Sequence, residues 1–299
     1  MSETTKIAKV DADSALGAMT GERYIKSLQD DREVFIDGEK VKDVTKHPAF
    51  TGIINEMARL YDLQNSDEYK DEMTFVDPAS GVRSSVSWMV PKSADDLKRK
   101  RRNSQIWNQQ TWGQLGRSHD ILAPYIIGAL NRKDLFSEVK HDKCDFGENL
   151  ENYYNYCMKN DLFLTHALGD PQVDRSETAQ NEQQKNQEDL EVALHVVEET
   201  ADGVIVTGGK QLSTAATHAN ECYISLSATF ARRNDPNCVL AFSVPQNTPG
   251  LKALAREPNS RWFGSWGHPL QNLDEQDCML FFDNVLVPWD RLFMLHESG

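Results

Sequence analysis

The sequence predicts a two-part α+β chain, a helical first half followed by a strand-rich second half. Up to about residue 160, apolar residues recur at helical spacing, as in Ile53, Met57 and Leu60. After about Leu162 the apolar runs shorten and are punctuated by Asp-Gly, Asn-Asp-Pro and Pro-Gly, which are turn signals. Helices segregated from strands along 299 residues argue for two domains rather than alternating βα units.

The N-terminal residues 1–19 lack the basic-then-apolar order of a secretory signal and are expected as a mobile arm. A short helix is predicted around Tyr24 to Leu28, opened by Thr20 and Gly21. Asp37-Gly38 separates Val34 and Ile36 from Val41 and Val44, a hairpin signal because both turn residues tolerate positive φ. Pro48 then opens a helix, where its missing N–H costs nothing.

Ser93 to Leu115 reads as the clearest helix, with Ser93 as N-cap, Asp96 three residues on, and a stop near Gly116. Its basic run Lys98 to Arg102 is expected as a solvated face. Ile121 to Leu130 and Leu150 to Met158 read as further helices. Strand-like runs follow at 192–197, 204–206, 222–226, 239–244 and 279–287. Between the halves, Ser176 to Glu191 is polar and Gln-rich and reads as a loop.

A net charge of −14 repels nucleic acid and anionic membranes, and no apolar stretch is long enough to span a bilayer. Five scattered cysteines without C-x-x-C spacing argue for a reducing, cytoplasmic setting and against structural zinc. No G-x-G-x-x-G follows a strand, so no nicotinamide site is expected.

The most informative stretch is Leu162 to Arg175, LFLTHALGDPQVDR. An apolar run delivers one histidine, His166, and a short loop then brings Asp174 and Arg175 together. That order suits an imidazole in a pocket with an ion pair at the rim. His119 and His218 are expected at the surface, while Trp262, Trp266 and His268 are read as core or pocket lining.

Thr20 to Phe50 closely resembles the start of the 4-hydroxyphenylacetate 3-monooxygenase family, the oxygenase components of two-component flavin-dependent aromatic hydroxylases. Residues 92–120, LTHALGDPQVDR, 199–214 and 281–293 continue the resemblance in order. It implies an acyl-CoA dehydrogenase-like fold. Its parts would be a helical domain at 20–161 with the hairpin and a β-barrel-like central domain at 162–293. Residues 294–299 would begin a C-terminal helical bundle missing from this chain.

The resemblance also implies a chemistry. Reduced FAD from a separate flavin reductase would react with O2, and a flavin hydroperoxide would hydroxylate a phenol. Arg117 and His166 match residues facing the phenolic oxygen, and Thr214 matches a threonine near the reactive edge of the flavin. Gln172, Val173, Asp174 and Arg175 match an FAD-holding loop, the Arg suiting a pyrophosphate. Ser225 and Ser227 are candidate substrate contacts. Ile121 stands where the family has a tyrosine, which puts an aliphatic wall in place of a phenol donor and implies a different substrate. A homodimer or homotetramer is implied. Two alternatives stay open: a 4-hydroxybutyryl-CoA dehydratase-like lyase, and a truncated, non-catalytic flavin- or partner-binding remnant.

Overall fold

The computed structural model describes residues 9–171, 192–225, 236–259 and 271–296. Helix α1 (Gly21–Ser27) is capped by Thr20, whose side chain accepts the Arg23 N–H. Strands β1 (Glu33–Ile36) and β2 (Glu39–Val41) form the expected hairpin. Asp37 at φ 51° and Gly38 at φ 79° both occupy the left-handed region that such a two-residue turn requires.

Helix α2 (Pro48–Asn65) has Pro48 in its first turn and buries Phe50, Ile53, Ile54, Met57, Leu60 and Tyr61 on one face. Each such side chain contributes on the order of 1.5–3 kcal/mol when fully buried. Gly21 lets α1 lie against that helix. A Cβ there would stand 2.5 Å from the Ala58 carbonyl oxygen.

Short α3 (Lys70–Met73) and the hairpin β3 (Thr74–Val76) and β4 (Arg83–Ser85) were not predicted. Helix α4 (Ala94–Gln110) starts as expected, with the Ser93 side chain accepting the Asp96 N–H. It ends earlier than predicted. Trp112 and Gly113 turn left-handed at φ 51° and 70°, and the Gly113 N–H closes on the Asn108 carbonyl. The stop signal was therefore Gly113, not Gly116.

The basic run is not simply a solvated face. The Lys100 ammonium donates to the carbonyls of Val86, Ser87 and Met89, and burial pushes it down to about 8. Arg99 donates to the carbonyls of Asp71 and Thr74, and Arg102 pairs with Glu72. These cations fasten α4 to the carbonyls and the one carboxylate of the segments it packs against.

Helices α5 (Leu122–Leu130), α6 (Lys133–Glu138) and α7 (Phe146–Asn160) complete the helical half. The described part of the arm is hydrogen-bonded to the rest of the chain. The Val10 N–H donates to Asp290, Leu16 to Asn160, and Met19 to Asp161 at 2.8 Å.

The second half contributes β5 (Leu164–Ala167), β6 (His195–Glu199), β7 (Gly203–Thr214) and β8 (Glu221–Ile224). It continues with β9 (Leu240–Pro245), β10 (Leu251–Ala255), β11 (Asp277–Pro288) and β12 (Leu292–Leu295). They form two open sheets rather than a closed barrel among the described residues, ordered β2-β1-β10-β11-β7-β6 and β12-β9-β8-β5. The N-terminal hairpin thus joins the larger sheet through parallel pairing of β1 with β10. The sheets meet face to face at Phe242 and Phe282, whose ring centroids lie 5.9 Å apart. Helix α7 packs on the smaller sheet, where Tyr153 meets Phe293 at 5.3 Å. No helix among the described residues is long and apolar enough to cross a membrane.

Candidate functional site

The site grows from three segments that the fold brings together: the turn after α4, strand β5, and the end of β7. The turn carries Arg117. Buried Leu115 precedes it and buried Ser118, His119 and Asp120 follow it, so the turn is pinned on both sides. The Arg117 backbone N–H donates to Glu275 Oε1 at 2.5 Å. Among the described residues its guanidinium Nη1 reaches only the neighbouring Gly116 carbonyl at 3.3 Å, and buried Nε has no hydrogen-bond partner.

His166 sits on β5, half-buried and opposite Tyr223 of β8. Its carbonyl accepts the Ser213 hydroxyl at 2.9 Å, which ties β5 to β7 just before Thr214. Its Nδ1 is buried without a partner. Burial, with the charge of Arg117 adding and a backbone contact opposing, holds the imidazole below its usual value. At neutral pH the ring is therefore uncharged and can exchange a proton with a weak acid.

Thr214 ends β7, and its hydroxyl donates to Asp277 Oδ1 at 2.5 Å. The threonine proton is thus committed, and the oxygen keeps lone pairs to accept from an N–H. A cavity of about 300 Å³ opens between these segments, lined among others by Gln114, Arg117, Thr214, Arg256, Glu275 and Asp277. His166 is not part of that lining; it lies within the electrostatic reach of Arg117, and its strand is tied to β7 at Ser213.

Of the sequence-predicted residues, the fold brings Arg117, His166 and Thr214 together. Ile121 precedes α5 and is exposed, away from the cavity lining. Ser225 follows β8; its N–H donates to the Ala167 carbonyl at 3.3 Å, one residue past His166. Gln172, Val173, Asp174, Arg175 and Ser227, with Trp262, Trp266 and His268, lie outside the described residues.

The surface assignments of His119 and His218 were wrong. His119 Nε2 lies 2.7 Å from Asp161 Oδ1, both side chains fully buried. His218 is buried against Phe163, and burial pushes its imidazole down to about 3. Both follow short polar stretches that look like loop surface, but the sheets and helices close over them.

Sequence reading missed the acidic stretch Asp274 to Asp277. Asp274 pairs with Arg256, Glu275 holds the Arg117 backbone, and Asp277 takes the Thr214 hydroxyl. Three acids immediately ahead of an apolar strand were the available signal. It also missed Lys210, buried on β7 and paired with Asp170 of the GDP turn at 2.9 Å.

A model described as the 4-hydroxyphenylacetate 3-hydroxylase N terminal matches residues 20–294. A 4-hydroxyphenylacetate 3-monooxygenase oxygenase component from Geobacillus sp. is 36% identical, over 94% of this chain and 56% of that protein. A solved structure of such a component, complexed with FAD and 4-hydroxyphenylacetate, superposes with a TM-score of 0.82 at 36% identity. It covers 94% of this chain and 56% of the other. A 4-hydroxybutyryl-CoA dehydratase from N. maritimus superposes with a TM-score of 0.77 at 20% identity, over 94% of this chain and 55% of the other, a likeness of fold alone. The chain spans about half the length of the curated relatives it matches. The turn, strands and matched residues together make this chain a member of the 4-hydroxyphenylacetate 3-monooxygenase oxygenase family, of which it carries the N-terminal and central parts.

Proposed function

We propose that this chain belongs to an oxygenase that hydroxylates a phenol ortho to its hydroxyl group, using reduced FAD and O2, with the reduced flavin supplied by a separate reductase. The observation that carries the reading is a pair of buried nitrogens without partners among the described residues: Nε of Arg117, which lines the cavity, and Nδ1 of His166, on the strand tied to β7 next to the cavity-lining Thr214. Buried polar atoms are rarely left unpaired, and each unmade bond costs about 1–3 kcal/mol. A bound phenolic oxygen would satisfy both.

The residues present fit the reactive part of such a complex. A cavity of about 300 Å³ suits a substituted phenol beside one edge of a flavin. Thr214, its own proton given to Asp277, offers an acceptor to a cofactor N–H at that edge. Reduced FAD, once bound, supplies with O2 the electrophilic oxygen. The protein's part is to make the ring electron-rich. Arg117 favours the phenolate by charge, and neutral His166 takes the phenolic proton. Ile121 is exposed ahead of α5 and outside the cavity lining, so the choice of phenol falls to the residues that line the cavity.

The test supplies the intact protein with reduced FAD from an independent flavin reductase and screens 4-substituted phenols by chromatography. Catechol-type product with at least one phenol is expected. Absence of both flavin binding and product would overturn the reading in favour of a non-catalytic role.

A further inference from the structure

We propose that Glu275 is a positioning residue. Its carboxylate holds the Gly116–Arg117 peptide against the end of β7 and so fixes the Arg117 guanidinium beside the cavity. The proposal rests on the functional reading above and adds a residue to it.

Three observations converge. The Glu275 carboxylate accepts the Arg117 N–H at 2.5 Å. A Cβ built on Gly116 would lie 3.6 Å from both carboxylate oxygens, so the carboxylate rests directly on that peptide. On the other side, the Glu275 carbonyl accepts the N–H of Ala215, the residue after Thr214, at 3.0 Å. Two residues on, Asp277 accepts the Thr214 hydroxyl. One short segment therefore grips the Arg117 backbone with one side chain and the Thr214 side chain with another.

The grip matters because Arg117 has little else to hold it. Its only guanidinium hydrogen bond among the described residues runs to the carbonyl beside it, and Nε is unpaired. Where the guanidinium points is thus set by where the backbone sits. Leu115 and Ser118 are buried on either side, but Gly116 between them is exposed. Without the carboxylate, water can reach that peptide and the turn loosens without the fold coming apart. Burial raises the Glu275 carboxyl above its usual value, opposed by the Arg117 N–H, the Arg117 charge and the Gly116 N–H.

The test uses the intact protein and two readouts. In Glu275→Ala, hydrogen exchange at the Gly116 and Arg117 amides should speed about ten- to a hundredfold, the range for a lost bond to a charged acceptor. Core amides such as those of Tyr24 and Trp107 should keep their protection. Product formed per O2 consumed should fall about tenfold, with flavin affinity changed less than about threefold. Glu275→Gln keeps an acceptor oxygen and should recover most of both. Added to Arg117→Ala, Glu275→Ala should cause no further loss of coupling, because it acts through that arginine. Unchanged exchange at Gly116 and Arg117, or an equal loss in both backgrounds, would overturn the proposal. Should Glu275→Ala not fold, Glu275→Met, of similar length but without an acceptor oxygen, takes its place: faster exchange at those two amides supports the grip, and wild-type exchange sinks it. A wild-type protein that hydroxylates no phenol would defeat the functional reading, while the exchange data would still decide the role of Glu275.

Discussion

His119 Nε2 lies 2.7 Å from Asp161 Oδ1, with both side chains shut off from solvent. His119 stands two residues after Arg117, and Asp161 stands five before His166. The contact therefore ties the turn that carries one candidate group to the turn that feeds the strand carrying the other. Asp161 itself adopts φ 52° to end α7, and its second oxygen accepts from Met19 and Gln64. Arm, α2, α7 and the Arg117 turn meet at one carboxylate.

Breaking that junction should be costly everywhere at once. Asp161→Ala leaves three partners, the Met19 N–H, Gln64 Nε2 and His119 Nε2, without this carboxylate, and each buried group left unpaired costs about 1–3 kcal/mol. Urea denaturation of the variant should show a midpoint lowered in proportion, with an unchanged slope. A loss under about 1 kcal/mol would mean that water replaces the carboxylate.

His166→Ala should uncouple the reaction. Hydrogen bonds to a charged group are worth about 1.5–3 kcal/mol, so hydroxylation should slow about ten- to a hundredfold. Oxygen consumption should persist with release of hydrogen peroxide. Arg175→Ala is expected to differ, raising the flavin dissociation constant while leaving coupling in the bound fraction nearly intact. Wild-type coupling in His166→Ala would make the residue a core histidine.

His218 predicts acid sensitivity. Its folded value is pushed down to about 3, first by burial and then by the charge of Arg32, against about 6.5 in the unfolded chain. The unfolded state then binds the extra proton between those values. This group's contribution is complete above about pH 6.5 and is lost as pH falls toward 3. His218→Phe, which can keep the stacking on Phe163, should flatten the stability profile below pH 6.5. The wild type should lose up to about 1.4 kcal/mol per pH unit more than the variant there. Parallel profiles from denaturation at pH 7 and pH 5 would count against it.

Gly21→Ala should destabilise by about 1–3 kcal/mol, because the new methyl meets the Ala58 carbonyl oxygen at 2.5 Å and α1 must lift from α2. Thermal melting against wild type measures it. An unchanged midpoint would mean that α1 shifts freely.

Local chemistry was legible in the sequence and long-range chemistry was not. Thr20, Pro48, Ser93 and the Asp37-Gly38 turn act on groups within four residues, and each does what its type predicts. The end of α4 was misplaced because Gly113 outcompeted Gly116, a choice made by the left-handed turn at Trp112. Strands β5, β10 and β12 went unseen, since four or five residues carry too little period to stand out. Arg117, His166 and Thr214 could be named from motifs. Glu275 could not, because its value lies in reaching a backbone 158 residues away.

The parallel pairing of β1 with β10 sets an order of events in synthesis. Glu33–Ile36 finds its neighbour only at Lys252–Ala255, about two hundred residues later. At about 5–20 residues per second, the open side of the hairpin waits roughly 10–40 s on the ribosome for the strand that covers it. During that wait the Val34 and Ile36 face is a sticky template for other nascent chains. The helical half on its own would keep that edge bare indefinitely. Fragments cut before residue 251 should therefore fail by aggregation rather than by simple unfolding.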